Sequence, residues 1–320
     1  MKNYKLILAL SLALVVALGS SAFAEYPEKP VQLIVPWKAG GGTDALFRVV
    51  AHYAGKYLGQ PMVIVNVPGV GGTLGARQGK DSKPDGYTLT ATHESVISSF
   101  LSGVSEFNYS DFIPIANMAV NPIVISAKYD VPWKNMTDLI ADAKKRPNQI
   151  KFGATLGSTS HFLALYIGKQ TGTEFKVVGY EGTAPRRAAL LGGHIDLTDN
   201  SAAAIIKYEQ AKKMRGLGIT SEKRHHLSPD VATLKEQGID VLFGVNRGIC
   251  APLGTPAPVV AKIAKALKQV HDDAEYRAKL EKIGSIPMYM DAAGYKAYIE
   301  EATGIYTDLA KNFGLYKVKK

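Results

Sequence analysis

Two glycine-rich segments each follow a short apolar run and precede a helix-like segment. The first, PWKAGGGTDALFR, occupies positions 36–48, and the second, PGVGGTLG, occupies positions 68–75. A helix that begins at such a turn exposes unpaired amide groups and carries partial positive charge, and glycine lets a ligand approach the backbone closely. This chemistry suits a phosphate or another anion. The same glycines are also explained by tight turns alone.

A nucleotide is the first anion to consider. Gly40, Gly42 and Ala45 match the G-x-G-x-x-A form of the dinucleotide-binding fingerprint. That fingerprint expects an acidic residue about 20 positions later, which holds a ribose hydroxyl. No Asp or Glu occurs between Asp44 and Asp81. We therefore expect neither NAD nor any other cofactor.

A carboxylate is the better candidate for the two loops. If the strands before the loops are neighbours in a sheet, the loops lie side by side and both helix N-termini face one anion. Asp44 complicates this interpretation, because its carboxylate would repel the ligand. We expect it to cap its own helix or to accept a hydrogen bond from a ligand amine or a bound water.

Residues for catalysis or metal binding form no recognisable motif. The chain lacks G-x-S-x-G, H-E-x-x-H and any Cys/His metal-ligand spacing. Ser158 and His161 could act as nucleophile and base, but a helix-capping serine followed by a histidine that faces the cleft or the core explains them more simply. His225 and His226 lie in a charged segment and are expected to be solvated, and Cys250 to be a small buried residue. We predict that the protein is not an enzyme and has no metal site.

The N-terminus has the three-part pattern of a secretory signal peptide. Lys2 and Lys5 precede an apolar run at 6–18, and Ala-Phe-Ala at 22–24 forms a cleavage site. An uncleaved anchor is the alternative, but this run is shorter than the roughly 20 residues that span a bilayer. We expect residues 1–24 to be removed and the protein to be periplasmic.

The charge of the chain favours a small anionic ligand over nucleic acid. Loss of residues 1–24 removes two lysines and no acidic residue, so the formal charge falls from +10 to +8. The remaining lysines and arginines are spread along the chain rather than clustered. We expect a soluble monomer that binds no nucleic acid.

Short β-rich runs alternate with helical segments, which indicates an α/β fold with parallel sheets and helices on both faces. We predict strands at 31–35, 62–66, 87–91, 122–127, 150–154, 175–179, 195–198, 215–219 and 245–251. We predict helices at 43–58, 72–80, 136–145, 159–171, 184–192, 201–211, 256–270, 273–283 and 292–312.

No linker separates domains, so two doubly wound domains would be joined by crossing strands. The best crossing candidates are residues 120–125 and 241–251. The predicted first domain combines 25–122 with 245–320, and the second comprises 123–244. A ligand would bind in the cleft between them, where strand ends from both domains meet.

Nine motifs, taken in order, resemble the substrate-binding proteins of tripartite tricarboxylate transporters, also called Bug-type receptors. The motifs are PxxxGGGTD at 36–44, NxPGxGG at 66–72, PDGYTL at 84–89, DFxPIA at 111–116, GSxxH at 157–161, YxGTAP at 180–185, LGGHID at 191–196, KR at 223–224 and APxGTP at 251–256. Together they cover essentially all of the chain after position 24.

The resemblance implies a periplasmic-binding-protein fold of two α/β domains that close like a Venus flytrap around a small carboxylate. It also implies delivery of that ligand to the membrane permease subunits of a tripartite tricarboxylate transporter. The implied site residues are Gly41, Gly42, Thr43 and Asp44 in the first loop, Gly71, Gly72 and Thr73 in the second, and Ser158, Thr159, Gly182 and Thr183 in the opposite domain. Trp37, His161, Asp199, Asn200 and Arg247 are further candidates.

Two features depart from the family pattern near the expected pocket, and two roles there stay open. Val67 replaces an arginine that is common in the family, and Asn246-Arg247 replaces an aromatic pair. Arg247, Arg186 and Arg187 could neutralise a second carboxylate by bidentate pairing, although a surface position is the simpler interpretation for Arg186 and Arg187. Trp37 could stack on an aromatic ligand, but we favour a role in the cleft wall.

Transport and sensing would use the same fold and pocket. The alternative to a transport receptor is a periplasmic partner that reports its ligand to a histidine kinase. The sequence does not distinguish citrate-like acids, dicarboxylates, amino acids and aromatic acids as ligands.

Overall fold

The computed structural model describes residues 26–318. Its elements, in chain order, are β1 (Val31–Val35), α1 (Gly42–Leu58), β2 (Met62–Asn66), α2 (Thr73–Lys80), β3 (Thr88–Thr92), α3 (Ser95–Leu101), β4 (Phe112–Pro122), β5 (Val124–Lys128), α4 (Met136–Lys145), β6 (Lys151–Ala154), α5 (Thr159–Thr171), β7 (Lys176–Gly179), α6 (Thr183–Leu191), β8 (Leu197–Asn200), α7 (Ala202–Gln210), β9 (Met214–Ile219), β10 (Gly244–Pro252), α8 (Ala257–Asp272), α9 (Ala274–Lys282), β11 (Ile286–Met290) and α10 (Ala292–Asn312). Short 3-10 turns occupy Val70–Gly72, Tyr109–Asp111 and Lys235–Gln237. The predicted signal peptide lies outside the described residues.

Two separate sheets organise the chain. The first has six strands in the order β11-β4-β10-β3-β1-β2, and the second has five in the order β7-β6-β8-β5-β9. β1 pairs in parallel with β2 and β3, and β6 pairs in parallel with β7 and β8. We call the six-stranded sheet with its helices the first lobe, and the five-stranded sheet with its helices the second lobe.

The prediction of parallel sheets is wrong in part, because both sheets are mixed. β10 runs antiparallel to β3 and β4, β11 runs antiparallel to β4, and β5 runs antiparallel to β8 and β9. The physical reason is the chain path. β10 returns from the second lobe into the first sheet, and β5 follows β4 directly, so neither strand arrives through a right-handed helical crossover.

The chain passes between the lobes where the sequence places its crossing candidates. β4 ends at Pro122 in the first sheet, and β5 begins at Val124 in the second. On the return, Phe243 donates a backbone hydrogen bond to Thr220 in the second lobe. β10 begins at the next residue and joins the first sheet. The domain boundaries themselves stay predictions.

Each sheet carries helices on both faces, as predicted. In the first lobe, α1, α8 and α9 cover one face, and α2, α3 and α10 pack on the other. In the second lobe, α4 and α5 cover one face, and α6 and α7 cover the other. None of the helices within residues 26–318 is long and apolar enough to cross a membrane.

Gly75 lets α2 pack directly against the loops that follow β1 and β2. A Cβ atom at this position would lie 2.5 Å from the Val67 carbonyl oxygen and 2.9 Å from the Pro36 Cα. Both are backbone atoms, so neither can rotate away, and overpacking of this kind costs about 1–3 kcal/mol or more. We expect Gly75→Ala to lower the free energy of unfolding in urea by about 3 kcal/mol.

Gly304 in α10 provides the matched control for that substitution. A Cβ there meets no atom within 4 Å, and alanine raises helix propensity by up to about 1 kcal/mol relative to glycine. Gly304→Ala is therefore expected to leave stability unchanged or slightly higher. Equal stability of the two variants would contradict the packing role of Gly75.

Candidate functional site

A cavity of ≈ 160 Å³ lies between the two lobes. This volume suits a small metabolite. Its walls come from the first glycine loop, the crossing strands and the helix starts of the second lobe. The lining residues are Trp37, Gly40, Gly41, Gly42, Thr43, Ala45, His93, Asn121, Pro122, Ile123, Thr155, Ser158, Thr159, Ser160, Gly182, Thr183, Arg186, Arg187, Asp199, Asn200, Ser201, Ala204, Val245, Arg247, Ile283 and Ser285.

Three helices begin at this cavity without a side chain that caps them. The N-cap residues of α1, α5 and α6 are Gly41, Ser158 and Gly182, and none makes a side-chain capping hydrogen bond. The first amide groups of such a helix have no partner within the helix and carry partial positive charge. The cavity is therefore surrounded by hydrogen-bond donors that favour an anion.

Asp44 fixes the shape of the first loop and is not part of the cavity wall. Its carboxylate accepts hydrogen bonds from the Gly40 amide at 2.9 Å, from Asn66 Nδ2 at 2.9 Å and from Arg48 Nε at 3.0 Å. Burial acts to raise the pKa of Asp44, but these hydrogen bonds outweigh it and hold the pKa below its usual range. Asp44 is absent from the cavity lining, and its oxygens already accept these three hydrogen bonds, so its contact with a ligand stays a prediction.

Trp37 forms part of the wall, as favoured from the sequence. Its ring stacks on His93, with centroids 4.0 Å apart and planes inclined by 19°. Gly72 also lies against the ring, since a Cβ atom there would come within 2.8 Å of Trp37 Cζ2. The indole is thus packed against two neighbours from the first lobe.

The second glycine loop stands beside the first, but it does not line the cavity. Its strand β2 pairs in full register with β1, which confirms the expected neighbourhood of the loops. Gly71, Gly72 and Thr73 instead line a separate space of ≈ 10 Å³, which also contacts Trp37. The prediction that both loops face the same cavity is therefore not matched.

The second loop already has an anionic partner from the opposite lobe. The Gly71 amide donates to the carboxylate of Glu181, at 3.1 Å to Oε2 and 3.4 Å to Oε1. The Thr73 hydroxyl donates to the Val70 carbonyl oxygen at 2.8 Å. A carboxylate thus binds this loop, but it belongs to the chain itself and bridges the lobes.

The second lobe contributes the predicted residues Ser158, Thr159, Gly182 and Thr183 to the cavity wall. His161 is not among the lining residues. Its Nδ1 accepts a hydrogen bond from the Gly157 amide at 3.3 Å, and burial lowers its pKa. The His161 amide donates to the Ser158 carbonyl oxygen at 2.9 Å, but no hydrogen bond joins their side chains among residues 26–318, so the geometry offers no nucleophile and base pair there.

Arg186 and Asp199 form a buried ion pair at the cavity. The Arg186 side chain is 4% exposed, and its Nη2 lies 2.8 Å from Asp199 Oδ1. Nη1 donates to Thr155 Oγ1 at 2.6 Å, and Nη2 donates to Thr183 Oγ1 at 3.2 Å. The surface interpretation of Arg186 is wrong, because α6 turns this side chain inward toward β8.

Four side-chain polar atoms of cavity-lining residues lack hydrogen-bond partners among the described residues. The side-chain oxygen and nitrogen of Asn200 are both buried without a hydrogen bond, as are the Nε atoms of Arg186 and Arg187. Arg187 is half-buried, and its guanidinium lies 5.8 Å from the Tyr208 ring centroid. Buried polar groups are normally satisfied, so these groups indicate a polar ligand.

Arg247 lies on β10 in the cavity wall and is only 8% exposed. Its Nε donates to Asn121 Oδ1 at 3.3 Å. Burial lowers its pKa to about 10, against the attraction of Glu94 and Asp199. The preceding residue, Asn246, turns away from the cavity and binds Glu94 through its amide and its side chain.

The remaining reactive side chains are structural. Cys250 is fully buried in β10, and burial raises the pKa of its thiol to about 12. His225 is buried rather than solvated, which corrects the sequence interpretation, and burial lowers its pKa to about 4. Residues 26–318 contain no group of three His, Cys, Asp or Glu side chains that could hold a metal ion.

Several lining residues were not predicted from the sequence. His93 follows β3 at the carboxyl edge of the first sheet, and this position alone was the available signal. Asn121 and Val245 belong to the crossing strands, which were predicted as connections but not as cavity walls. Ser285 follows α9 and reaches the cavity only through the tertiary fold.

His93 is expected to make stability depend on pH. Its Nδ1 accepts a hydrogen bond from the Ser95 amide at 3.1 Å. Burial and the nearby Arg247 hold its pKa well below 6.5. Below about pH 6.5 the His93 side chain is protonated in the unfolded chain but stays neutral in the folded chain. The contribution of His93 to stability is therefore fully present above about pH 6.5 and is lost as the pH falls.

The His93→Asn variant tests this pH dependence. Asparagine does not titrate, and its side-chain oxygen can still accept the hydrogen bond from the Ser95 amide. In urea unfolding between pH 7 and 5.5, we expect the variant to lose less stability per pH unit than the wild type, by up to about 1.4 kcal/mol. Histidines 161, 225 and 271 also have lowered pKa values and are unchanged in both proteins. Identical slopes would contradict the assignment.

Comparison with known proteins identifies the family. The family model described as "Tripartite tricarboxylate transporter family receptor" matches residues 46–315. The chain belongs to this receptor family. The resemblance read from the nine motifs is therefore confirmed, and the family is one of periplasmic solute-binding receptors rather than enzymes.

Solved structures of similar proteins confirm the receptor's fold. The periplasmic binding protein BugD is 30% identical, with a TM-score of 0.85 over 91% of this chain and 100% of BugD. MatC from Rhodopseudomonas palustris, solved with bound malate, is 25% identical, with a TM-score of 0.82 over 89% of the receptor and 99% of MatC. A second R. palustris protein, solved with adipate, is 27% identical, with a TM-score of 0.85 over 90% and 98% of the two chains.

Proposed function

We propose that the receptor binds a small organic acid, such as a di- or tricarboxylate, in the cavity between its lobes. The observation that carries this proposal is the convergence of three uncapped helix N-termini, at Gly41, Ser158 and Gly182, on one cavity. The amide groups of the residue that follows each of these caps, at the first position of each helix, donate to no acceptor among the described residues. Charge-assisted hydrogen bonds of this kind contribute about 1.5–3 kcal/mol each.

The charges in the wall support the same ligand class. Three arginines line the cavity, and Asp199 is the one carboxylate among its lining residues. Arg186 pairs with Asp199, so two positive charges are left for a ligand. The malate and adipate bound to the two R. palustris relatives are carboxylates of this kind.

Closure of the lobes would complete the site. Gly41–Thr43 lie in the first lobe, whereas Ser158 and Gly182 lie in the second, so a ligand gains its full set of hydrogen bonds only when the lobes meet. The ligand would first bind the first lobe, and the second lobe would then close over it. We propose that the two lobes are the two domains predicted from the sequence.

Transport is the biological role that we propose for this binding. The signal-peptide pattern at 1–24 supports a periplasmic location after cleavage. From there it would deliver its ligand to the membrane permease subunits of a tripartite tricarboxylate transporter, the system after which its family is described.

Native mass spectrometry followed by calorimetry tests the proposal. The full chain is secreted into a bacterial periplasm and purified, and its mass is measured in native and denaturing solvents. We expect a mature chain beginning at Glu25 and a copurified organic acid. The ligand-free protein is then titrated with carboxylates and with the neutral amide of the tightest one.

We expect a stoichiometric complex of micromolar affinity, which corresponds to about 8 kcal/mol, and binding of the amide at least 100-fold weaker. Failure of every carboxylate to bind, or equal affinity for acid and amide, would overturn the proposed function.

A further inference from the structure

Arg247 is a buried cation that lacks an anionic partner. It is 8% exposed, and no carboxylate of residues 26–318 lies within ion-pair distance of it. The two acidic residues that act on it electrostatically, Glu94 and Asp199, are used elsewhere. Asp199 pairs with Arg186, and Glu94 accepts hydrogen bonds from Tyr298 and Asn246.

The orientation of Arg247 is fixed by the crossing strands. Its Nε donates to Asn121 Oδ1, and Asn121 Nδ2 donates to Ser285 Oγ at 2.7 Å. The two terminal nitrogens of the guanidinium make no hydrogen bond to any described residue, although Asn121 and Ser285 share the cavity wall with it. A guanidinium held at Nε presents a planar pair of donors that matches an acidic group.

Burial of an unpaired charge costs several kcal/mol unless a counter-charge is supplied. The helix N-termini at Gly41, Ser158 and Gly182 form a different wall, made of backbone donors from three other elements. The cavity thus has two groups of hydrogen-bond donors on different elements, the helix N-termini and the Arg247 guanidinium held by Asn121.

We infer that Arg247 is a specificity-determining residue, which selects ligands that carry a second acidic group. This inference rests on the proposed function and narrows it. One carboxylate binds the helix N-termini, and the other accepts hydrogen bonds from the terminal nitrogens of Arg247. Monocarboxylic acids of the same size leave this cation unpaired and bind weakly.

Calorimetry with a matched pair of ligands tests the inference. A series of linear dicarboxylates from succinate to suberate is titrated into the ligand-free full chain. The tightest diacid is compared with its half-amide, which keeps the length and removes one charge. Both are measured with the wild type, with Arg247→Gln and with Arg247→Lys, and with Arg224→Gln as a control that removes an exposed arginine outside the cavity.

We expect the wild type to bind the diacid at least 30-fold more tightly than the half-amide. In Arg247→Gln the diacid loses about 100-fold in affinity, and the two ligands bind within threefold of each other. Arg247→Lys keeps a preference for the diacid, and Arg224→Gln keeps the full preference. Thermal unfolding provides the check on folding, because loss of an unpaired buried charge leaves the ligand-free Arg247→Gln protein at least as stable as the wild type.

Equal wild-type affinity for diacid and half-amide, or a diacid preference that survives in Arg247→Gln, overturns the role of Arg247. Binding of monocarboxylates without any preference for diacids also overturns the role of Arg247, but it leaves the proposed function standing. If no carboxylate binds, both the role of Arg247 and the proposed function are overturned.

Discussion

Replacement of Gly42 by leucine is expected to lower affinity for the carboxylate ligand at least 100-fold while the protein stays folded. Gly42 begins α1 and lines the cavity, and a Cβ at this position meets no atom within 4 Å. The leucine side chain therefore enters open space rather than the core. It fills much of a cavity of only ≈ 160 Å³ and covers the amide groups of the first loop.

Calorimetry gives the affinity of the Gly42→Leu protein, and urea unfolding checks its stability, which should lie within about 1 kcal/mol of the wild type. Gly304→Leu is the matched control, since Gly304 lies on α10 away from the cavity and also has open space at its Cβ. That variant should bind normally. Unchanged affinity in Gly42→Leu would show that the ligand does not use this cavity.

Loss of Arg186 is expected to lower stability strongly. Arg186→Met removes the counter-charge of Asp199, whose side chain is 13% exposed, together with hydrogen bonds to Thr155 and Thr183. Breaking a buried pair leaves one charge uncompensated and costs about 3–5 kcal/mol. Because Asp199 faces the cavity, we expect about 3 kcal/mol in urea unfolding, the low end of that range.

Two further variants separate the ion pair from general packing. Arg186→Met/Asp199→Asn carries no uncompensated charge and should recover at least about 1 kcal/mol relative to Arg186→Met alone. Arg224→Met breaks an exposed pair, in which both side chains are 46% exposed, and should cost less than about 1 kcal/mol. A double variant that is less stable than Arg186→Met would argue against the charge explanation.

The order of elements could be predicted well because helices and strands in this chain have strong local signals. The limits of α4, α5 and α10 match their predictions, as do those of β1 and β2. The elements that the sequence did not indicate are stabilised by tertiary contacts. β4 contains Pro114, Asn117 and Asn121, which interrupt a strand pattern, but pairing on both sides stabilises it. The third helix has only seven residues, SVISSFL, too few for a helical period to be recognised.

The site was partly predictable because its first loop also has a strong local signal. A glycine-rich turn between a strand and a helix indicates exposed amides from sequence alone, and this located the first loop. The sequence could not show that Trp37 would separate the second loop from the cavity, or that Glu181 would bind it from the other lobe. These contacts join residues 35 and 110 positions apart. The first arises when the first lobe folds, and the second arises only when the lobes meet.

The pairing of charged side chains also could not be predicted from the sequence. Arg186 and Arg187 are adjacent in the sequence, yet one is buried against Asp199 and the other is half-buried. The helical rotation of 100° per residue places neighbours on different faces, so only the orientation of α6 decides which arginine points inward. Arg247 was a candidate from its type, but its isolation from carboxylates follows from the three-dimensional packing.

A crystal structure of the receptor with its tightest carboxylate tests the central claim most directly. We predict that carboxylate oxygens lie within about 3 Å of backbone amides at the start of α1 and of α5 or α6, with the two lobes closed around the ligand. A ligand bound outside this cavity, or one whose carboxylate contacts none of these helix N-termini, would contradict the account.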